Sequence, residues 1–249
     1  MFKGSYILFF FFLTYSFLAF NQKTAEDFVQ EGLEKVALNN HKGAISDFSK
    51  AIRLNPSLTE AYVARASSKR ITGKLQSAIL DYNRALKINP YDPESYNARG
   101  EVYLTLGHFK ESINDFTLTL RVNKKHAVAY YNRGFAYQST GDYKQAMKDY
   151  EKALEINSSF AEVYFEIGNI MAIKGKYPEA IQQFDKSIGI KSDYIKVYIA
   201  RGVAKIKTGE NTDGCNDLAK AKDLGDKGVE SLIQLFCESK KQTMGGEER

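Results

Sequence analysis

A period of 34 residues runs through the sequence from Ala25 onward, and it constrains the fold more than any other feature. The eighth position of each repeat is small, and its occupants are Gly32, Ala66, Gly100, Gly134, Gly168 and Gly202. No insertion or deletion breaks this register. A fixed period of this length indicates stacked structural units, because a single repeat cannot bury its own apolar face.

Other positions of the repeat alternate between small and aromatic residues. The twentieth and twenty-seventh positions are small, as at Ala44 and Ala51, whereas the fourth and twenty-fourth carry rings, as at Tyr62 and Phe48. Within each half of a repeat, apolar residues recur every three or four positions, which is typical of amphipathic helices. The sequence therefore predicts two helices per repeat, packed closely at the small positions and filled by the rings beside them.

The turn between the two predicted helices is equally regular. The fifteenth position is glycine in five repeats and Asn39 in the first. Glycine and asparagine tolerate the left-handed backbone that often follows a helix. Tyr-x-x-Arg pairs, such as Tyr62 with Arg65, also recur at one face. A feature copied into most repeats indicates packing between neighbours rather than a binding site.

These residues make the chain resemble the tetratricopeptide repeat family over residues 25–228. The resemblance implies an all-α fold, a right-handed superhelical solenoid of antiparallel helix pairs whose first helices line a concave groove. The predicted repeats are 25–58, 59–92, 93–126, 127–160, 161–194 and a degenerate sixth, 195–228. A capping helix is predicted over residues 229–239, followed by a disordered tail over residues 240–249.

The two cysteines, Cys215 and Cys237, lie in the degenerate repeat and the predicted cap. Cys215 occupies a position that faces the next helix, and that helix carries Cys237. A disulfide closing this loop would stabilise the fold by roughly 3 kcal/mol on the chain-entropy model. Two buried thiols acting as small apolar residues are an equally weighted alternative.

The first twenty residues differ from the rest of the chain. A basic start, Met1-Phe2-Lys3, precedes an apolar run over residues 7–20 that is short for a membrane span. Residues 1–20 are therefore predicted to be an export signal peptide, which places the chain in the periplasmic, extracellular or secretory space. The alternative is an uncleaved signal anchor, in which residues 7–20 tether the protein to a membrane.

No arrangement of catalytic residues stands out in the sequence. The 35 basic and 30 acidic residues are interleaved, so the net charge of +5 gives no basic stripe for nucleic acid. The three histidines lie in turns or at a repeat boundary, and the cysteine spacing does not fit a zinc site. We therefore expect no enzyme activity, no cofactor, no metal and no nucleic-acid partner.

The resemblance implies that the fifth, ninth and twelfth positions of each first helix point into the groove. Ten residues at these positions and Asn132, at a sixth position, are the candidates for peptide binding. They are Val29, Leu33, Arg70, Asn97, Glu101, Tyr131, Asn132, Phe135, Gln138, Phe165 and Asn169. Aromatic rings beside amide groups suit an apolar anchor and a peptide backbone. Packing of the three rings between adjacent repeats is an equally weighted alternative. The residues of a carboxylate clamp are missing apart from Asn132.

The sequence thus predicts a non-enzymatic scaffold that binds another protein or a peptide segment in its groove, in the cell envelope or secretory space. Two alternatives remain at this stage. The array can be a structural subunit of a membrane-associated assembly with an empty groove. It can also be presented beside a membrane by an uncleaved anchor, with the same binding activity.

Overall fold

The computed structural model describes residues 23–238, and all of the regular structure in that range is helical. The helices are α1 Ala25–Ala37, α2 His41–Leu54, α3 Thr59–Ile71, α4 Leu75–Ile88, α5 Pro93–Thr105, α6 Phe109–Val122, α7 Ala127–Ser139, α8 Tyr143–Ile156, α9 Ala161–Ile173, α10 Tyr177–Ile190, α11 Ile195–Lys207, α12 Asn211–Asp223 and α13 Glu230–Ile233. The predicted export segment and the predicted tail lie outside the described residues.

The described residues form two compact halves that meet in sequence between Gly107 and His108. The N-terminal half contains α1 to α5, in which α1 packs on α2, α2 on α3, α3 on α4, and α4 on α5. The C-terminal half begins at α6, and its helices pack in the same successive order through α12. Short turns join the paired helices, so each pair is an antiparallel hairpin. The all-α repeat fold predicted from the period is confirmed.

At Gly32, Gly134 and Gly168, an aromatic ring of the paired helix lies against the small eighth position. At Gly168 in α9, an added Cβ atom would come within 2.7 Å of Cδ1 of Phe184 in α10. At Gly134 in α7, it would come within 2.8 Å of the Tyr150 ring in α8. Both rings are fully buried. The close approach of the two helices thus depends on the absence of a side chain at this position.

Replacing Gly168 by alanine is expected to destabilise the C-terminal half, because the added Cβ atom would overlap the fully buried Phe184 ring. Gly189 in the last turn of α10 offers a matched control, since a Cβ atom there would meet no atom within 4 Å. Both changes gain helix propensity, so the difference between the two variants isolates the steric cost, about 1–3 kcal/mol. Urea unfolding followed by circular dichroism measures it. Equal stabilities for the two variants would contradict this packing.

The turns inside the repeats have the backbone that the sequence predicts. The fifteenth position has φ values between 56° and 93° in all six repeats, from Asn39 to Gly209. Asn39, at φ 56°, is the one non-glycine residue with positive φ among residues 23–238. This conformation reverses the chain within three residues and brings the second helix back along the first.

Three of the Tyr-x-x-Arg arginines, Arg65, Arg133 and Arg201, each link three helices within their half of the chain. Arg133 in α7 donates two parallel hydrogen bonds to Asp149 in α8, at 2.7 and 2.8 Å. Its Nη1 atom also donates to Thr117 Oγ1 in α6 at 3.0 Å. Arg65 and Arg201 repeat this arrangement with Asp81 and Asp217. We call each such arginine an arginine staple, and its structural role matches the prediction of packing between neighbours.

The chain after α12 is helical, but it is less regular than the predicted cap. Gly225, at φ 103°, ends α12, and α13 is a single turn continued by a π-helical segment, Gln234–Glu238. This segment packs on α12, and Cys237 forms a disulfide with Cys215 of that helix. Val229 is buried in the same apolar cluster. The cap therefore combines a small core with a covalent link.

Candidate functional site

Aromatic rings line the first-helix face of the C-terminal half, which is the face predicted to bind a partner. Tyr131 of α7 packs on Phe160, which precedes α9, with ring centroids 5.1 Å apart. Phe165 of α9 packs on Tyr194, which precedes α11, at 5.3 Å. All four rings are partly exposed. Both ring contacts join residues of a single repeat, 127–160 or 161–194. Packing of the rings between adjacent repeats and binding of a ligand by their exposed surface both stay predictions.

A buried carboxylate lies on this face. Glu166 of α9 is 6% exposed, and its Oε2 atom accepts hydrogen bonds from Gln138 Nε2 at 2.7 Å and from Asn169 Nδ2 at 3.2 Å. The Tyr150 hydroxyl donates to Gln138 Oε1 at 3.0 Å and thereby orients that amide toward the carboxylate. We call Tyr131, Gln138, Tyr150, Glu166, Asn169 and Tyr194 the Glu166 site.

The three tyrosines of the Glu166 site are held in their neutral form. Burial raises the pKa of Tyr131 and of Tyr150 well above the usual range, and the nearby negative charge of Glu166 raises it further. The same two causes raise the pKa of Tyr194 to about 12. Phenolate forms are therefore excluded at physiological pH, and these side chains add no charge to the site.

The Glu166 site differs in its partners from four buried aspartates of the chain. Asp47, Asp81, Asp149 and Asp217 are buried, and each lies within 2.7 Å of a lysine or arginine nitrogen. Among residues 23–238, Glu166 has amide donors and no cation within salt-bridge distance. Its negative charge is hydrogen-bonded but not neutralised.

The N-terminal half carries a different polar cluster on its own first-helix face. Arg70 of α3 lies 3.6 Å from Glu101 of α5, and Asn97 donates to Glu101 at 2.9 Å. Asn97 is 8% exposed, and its Oδ1 atom is buried without a hydrogen-bond partner. Here the Glu101 carboxylate has the Arg70 guanidinium beside it. Three of the predicted residues, Arg70, Asn97 and Glu101, therefore form a group in which the negative charge is balanced within the chain.

The remaining predicted residues are more dispersed. Val29 is 5% exposed and belongs to the core of the N-terminal half, whereas Leu33 is 38% exposed on the same helix. Asn132 and Phe135 of α7 are half-buried. Of the predicted residues in the C-terminal half, Tyr131, Gln138 and Asn169 meet at the Glu166 site.

Sequence reasoning missed Glu166 itself, together with Tyr150 and Tyr194. The sixth position of the repeat holds Gln30, Ala64, Ala98, Asn132, Glu166 and Ala200. A single charged residue in an otherwise neutral position is the signal that could have identified it. Tyr150 belongs to the aromatic ladder, so nothing in its pattern distinguishes its hydroxyl from a purely structural one.

Residues 23–238 contain no cluster of three or more His, Cys, Asp or Glu side chains arranged to hold a metal ion. His126 caps α7, where its Nδ1 atom accepts a hydrogen bond from the Ala129 backbone N–H at 3.1 Å. In the same range, no helix is both long enough and apolar enough to cross a bilayer.

Comparison with protein-family profiles gives four matches to tetratricopeptide repeat profiles. They cover residues 66–107, 93–126, 127–160 and 149–182. The register of two of these matches, 93–126 and 127–160, is the register predicted from the small positions. The chain is a tetratricopeptide repeat protein. Comparison with curated protein sequences gives no significant match.

Solved tetratricopeptide repeat structures share the fold of this chain. A tetratricopeptide repeat protein from Parabacteroides merdae is 22% identical, with a TM-score of 0.75 over 90% of this chain and 94% of that chain. PilW, described as a type IV pilus biogenesis factor, is 17% identical, with a TM-score of 0.75 over 84% and 98%. YrrB, described as having an unusual peptide-binding site, is 23% identical, with a TM-score of 0.59 over 75% and 97%.

The tetratricopeptide repeat is in general a module for protein–protein interaction, and a scaffold for such interactions is the function that this fold supports. Fold alone does not identify a ligand, which depends on the side chains that a given array presents. Those of the C-terminal half are the rings and amides around Glu166.

Proposed function

We propose that this protein binds a segment of another polypeptide along the first-helix face of its repeats, with the C-terminal half as the principal contact. The observation that carries the proposal is the set of partly exposed rings beside the amides of Gln138 and Asn169. Rings supply apolar contact area at low entropic cost, and amides can pair with a peptide backbone. This composition is that of an interaction surface.

The structure of the repeats supports a rigid binding surface. Arginine staples at Arg133 and Arg201 fix α7 and α11 to their neighbours. The rings on the first-helix face are further held by their contacts with Phe160 and Tyr194. A preorganised surface loses less conformational entropy on binding, which favours affinity for an extended segment.

Export is part of the proposal, and the cysteines support it. A disulfide between Cys215 and Cys237 fits an oxidising compartment such as the periplasm or the secretory pathway. The apolar run of residues 7–20 supports the same location from the sequence. Two free thiols in protein isolated from its native source, with alkylation before lysis, would contradict this part of the proposal.

Affinity capture from the native source tests the binding role. The wild-type protein is expected to retain one or more polypeptides that a Tyr131→Ala, Phe135→Ala, Phe165→Ala variant releases, because the variant removes most of the apolar contact area. A Lys148→Ala, Glu151→Ala variant, altered at exposed residues of α8, is the matched control and should retain them.

The rings of Tyr131 and Phe165 also pack within the fold, so the triple variant must be shown to be folded by circular dichroism and thermal melting. Partners that bind the folded triple variant as well as the wild type would overturn the proposed surface. In that case the alternative of a structural subunit that contacts its assembly through another face would be favoured.

A further inference from the structure

The negative charge of Glu166 lacks a counter-charge within the described residues. Burying a carboxylate is costly unless a cation or several hydrogen bonds compensate for the lost water. Glu166 is 6% exposed and receives two amide hydrogen bonds, both on Oε2. Its Oε1 atom accepts no hydrogen bond from residues 23–238. One carboxylate oxygen is therefore available to a donor that comes from outside the chain.

The surroundings of Glu166 suit a cationic donor. The Tyr131 ring lies 6.2 Å from the Tyr150 ring, whose hydroxyl donates to Gln138 beside Glu166. The Tyr194 ring lies 5.3 Å from the ring of Phe165, the residue before Glu166. Neither the Tyr131 nor the Tyr194 hydroxyl makes a hydrogen bond to a residue within 23–238. Aromatic faces attract ammonium and guanidinium groups, and neutral phenols can also accept hydrogen bonds from them.

A lysine of this chain already uses the rim of the site in this way. Lys191 lies with its Nζ atom 5.0 Å from the centroid of the Tyr194 ring and 3.3 Å from Glu162 Oε1. Its ammonium is thus paired with Glu162 and leaves Glu166 without a cation. The Tyr194 ring therefore accepts a basic side chain, and no lysine or arginine of residues 23–238 forms an ion pair with Glu166.

We propose that Glu166 binds a lysine or arginine side chain of the polypeptide partner, with Tyr131 and Tyr194 contacting its aliphatic stem. This inference rests on the proposed function and specifies its partner, namely a segment with a basic residue flanked by apolar ones. The flanking apolar residues would pack on Phe135 and Phe165. A buried hydrogen-bonded ion pair of this kind is formed when the partner binds, which concentrates binding energy at one residue.

The N-terminal half makes this role specific to Glu166. Glu101, on the first-helix face of that half, has Arg70 of the same chain 3.6 Å away. The four buried aspartates noted above are likewise neutralised from within. A basic residue of a partner would have to displace an internal cation at those positions, whereas at Glu166 it would displace none.

Selection from a phage-displayed library of random twelve-residue peptides, with the full chain as target, tests the inference. Peptides that bind the wild type are expected to share a lysine or arginine beside apolar residues. Glu166→Gln should weaken their binding about ten- to a hundredfold, because it removes the charge and keeps the shape. Replacing the basic residue of the peptide by norleucine should cause a similar loss, with little further loss in Glu166→Gln.

A control and a stability measurement separate binding from folding. Glu151→Gln, at an exposed residue of α8, removes the same charge elsewhere and should leave peptide binding unchanged. Glu166→Gln should melt at the wild-type temperature or above it, because it removes an uncompensated buried charge. A lower melting temperature with equal loss of affinity for basic and norleucine peptides would identify a structural role and overturn the inference.

Two results distinguish the inference from the proposed function. Peptides that lose binding in the Tyr131→Ala, Phe135→Ala, Phe165→Ala variant but contain no enriched basic residue would overturn the role of Glu166 and leave the binding surface intact. A selection that yields no peptide dependent on those three rings would overturn both.

Discussion

Replacing Arg133 by alanine is expected to destabilise the C-terminal half by about 3 to 5 kcal/mol, one of the largest effects of any single change in this chain. The variant leaves the buried carboxylate of Asp149 without its cation and breaks two hydrogen bonds, at 2.7 and 2.8 Å. It also removes the link from α7 to Thr117 of α6 and the contact of the guanidinium with the Tyr130 ring. Urea unfolding followed by tyrosine fluorescence and circular dichroism measures the loss.

Three further variants identify the cause of that loss. Lys148→Ala removes a positive charge from an exposed position of α8 and should leave stability near the wild-type value. Arg133→Lys keeps the charge but cannot form the two parallel bonds, so it should lie between the wild type and alanine. Adding Asp149→Asn to Arg133→Ala should restore part of the stability, because the unpaired buried charge is gone. Equal stabilities for Arg133→Ala and Lys148→Ala would contradict the staple.

The sequence contains a natural version of this experiment. The seventh position of the repeat is Arg65, Arg99, Arg133 and Arg201 in four repeats, and the twenty-third is aspartate in each of them. The fifth repeat has Ile167 and Gln183 at the two positions, so both members of the pair change together. In the first repeat, where Glu31 replaces the arginine, Asp47 is paired with Lys35 and Lys50 instead. The twenty-third position is thus aspartate in the repeats that have an arginine at the seventh position, and in the first repeat, where two lysines pair with it.

The fold was predictable because its determinants are local and repeated. The fifteenth position predicts the left-handed turn in six places, and the eighth predicts a close approach that Phe184 and Tyr150 explain. The same residue type recurs at the same position of several repeats, so a chance occurrence in one repeat does not affect the prediction. The aspartate of the staple was predictable in the same way but was not paired with its arginine at the sequence level.

The candidate site was less predictable because it depends on residues that occur in one repeat only and on how far each side chain extends from its helix. Val29 and Tyr131 share the fifth position, yet the short Val29 side chain is buried whereas the Tyr131 ring extends to the surface. Glu166 occurs once, and its importance comes from the missing cation, which no single position reveals. The π-helical turn at Gln234–Glu238 likewise has no counterpart in the repeats.

Reducing the Cys215–Cys237 disulfide is expected to loosen the C-terminal cap and leave the rest of the array folded. The bond closes a loop with a sequence separation of 22 residues, for which the chain-entropy model gives about 3 kcal/mol. Repeat arrays open locally from their ends, since each repeat contacts only its neighbours. The loss should therefore fall on residues 229–238, whose apolar contacts involve Val229, Leu232 and Ile233.

Hydrogen exchange measured by mass spectrometry tests this expectation peptide by peptide. Reduction should accelerate amide exchange in residues 229–238 by about a hundredfold, which is the factor that about 3 kcal/mol implies. Peptides from α7 to α9 should exchange at their original rates. A Cys215→Ala, Cys237→Ala variant should behave like the reduced protein, because both lack the link and keep the Val229 contacts. Unchanged exchange in the cap after complete reduction would show that its small apolar core suffices, and the disulfide would then have no stabilising role.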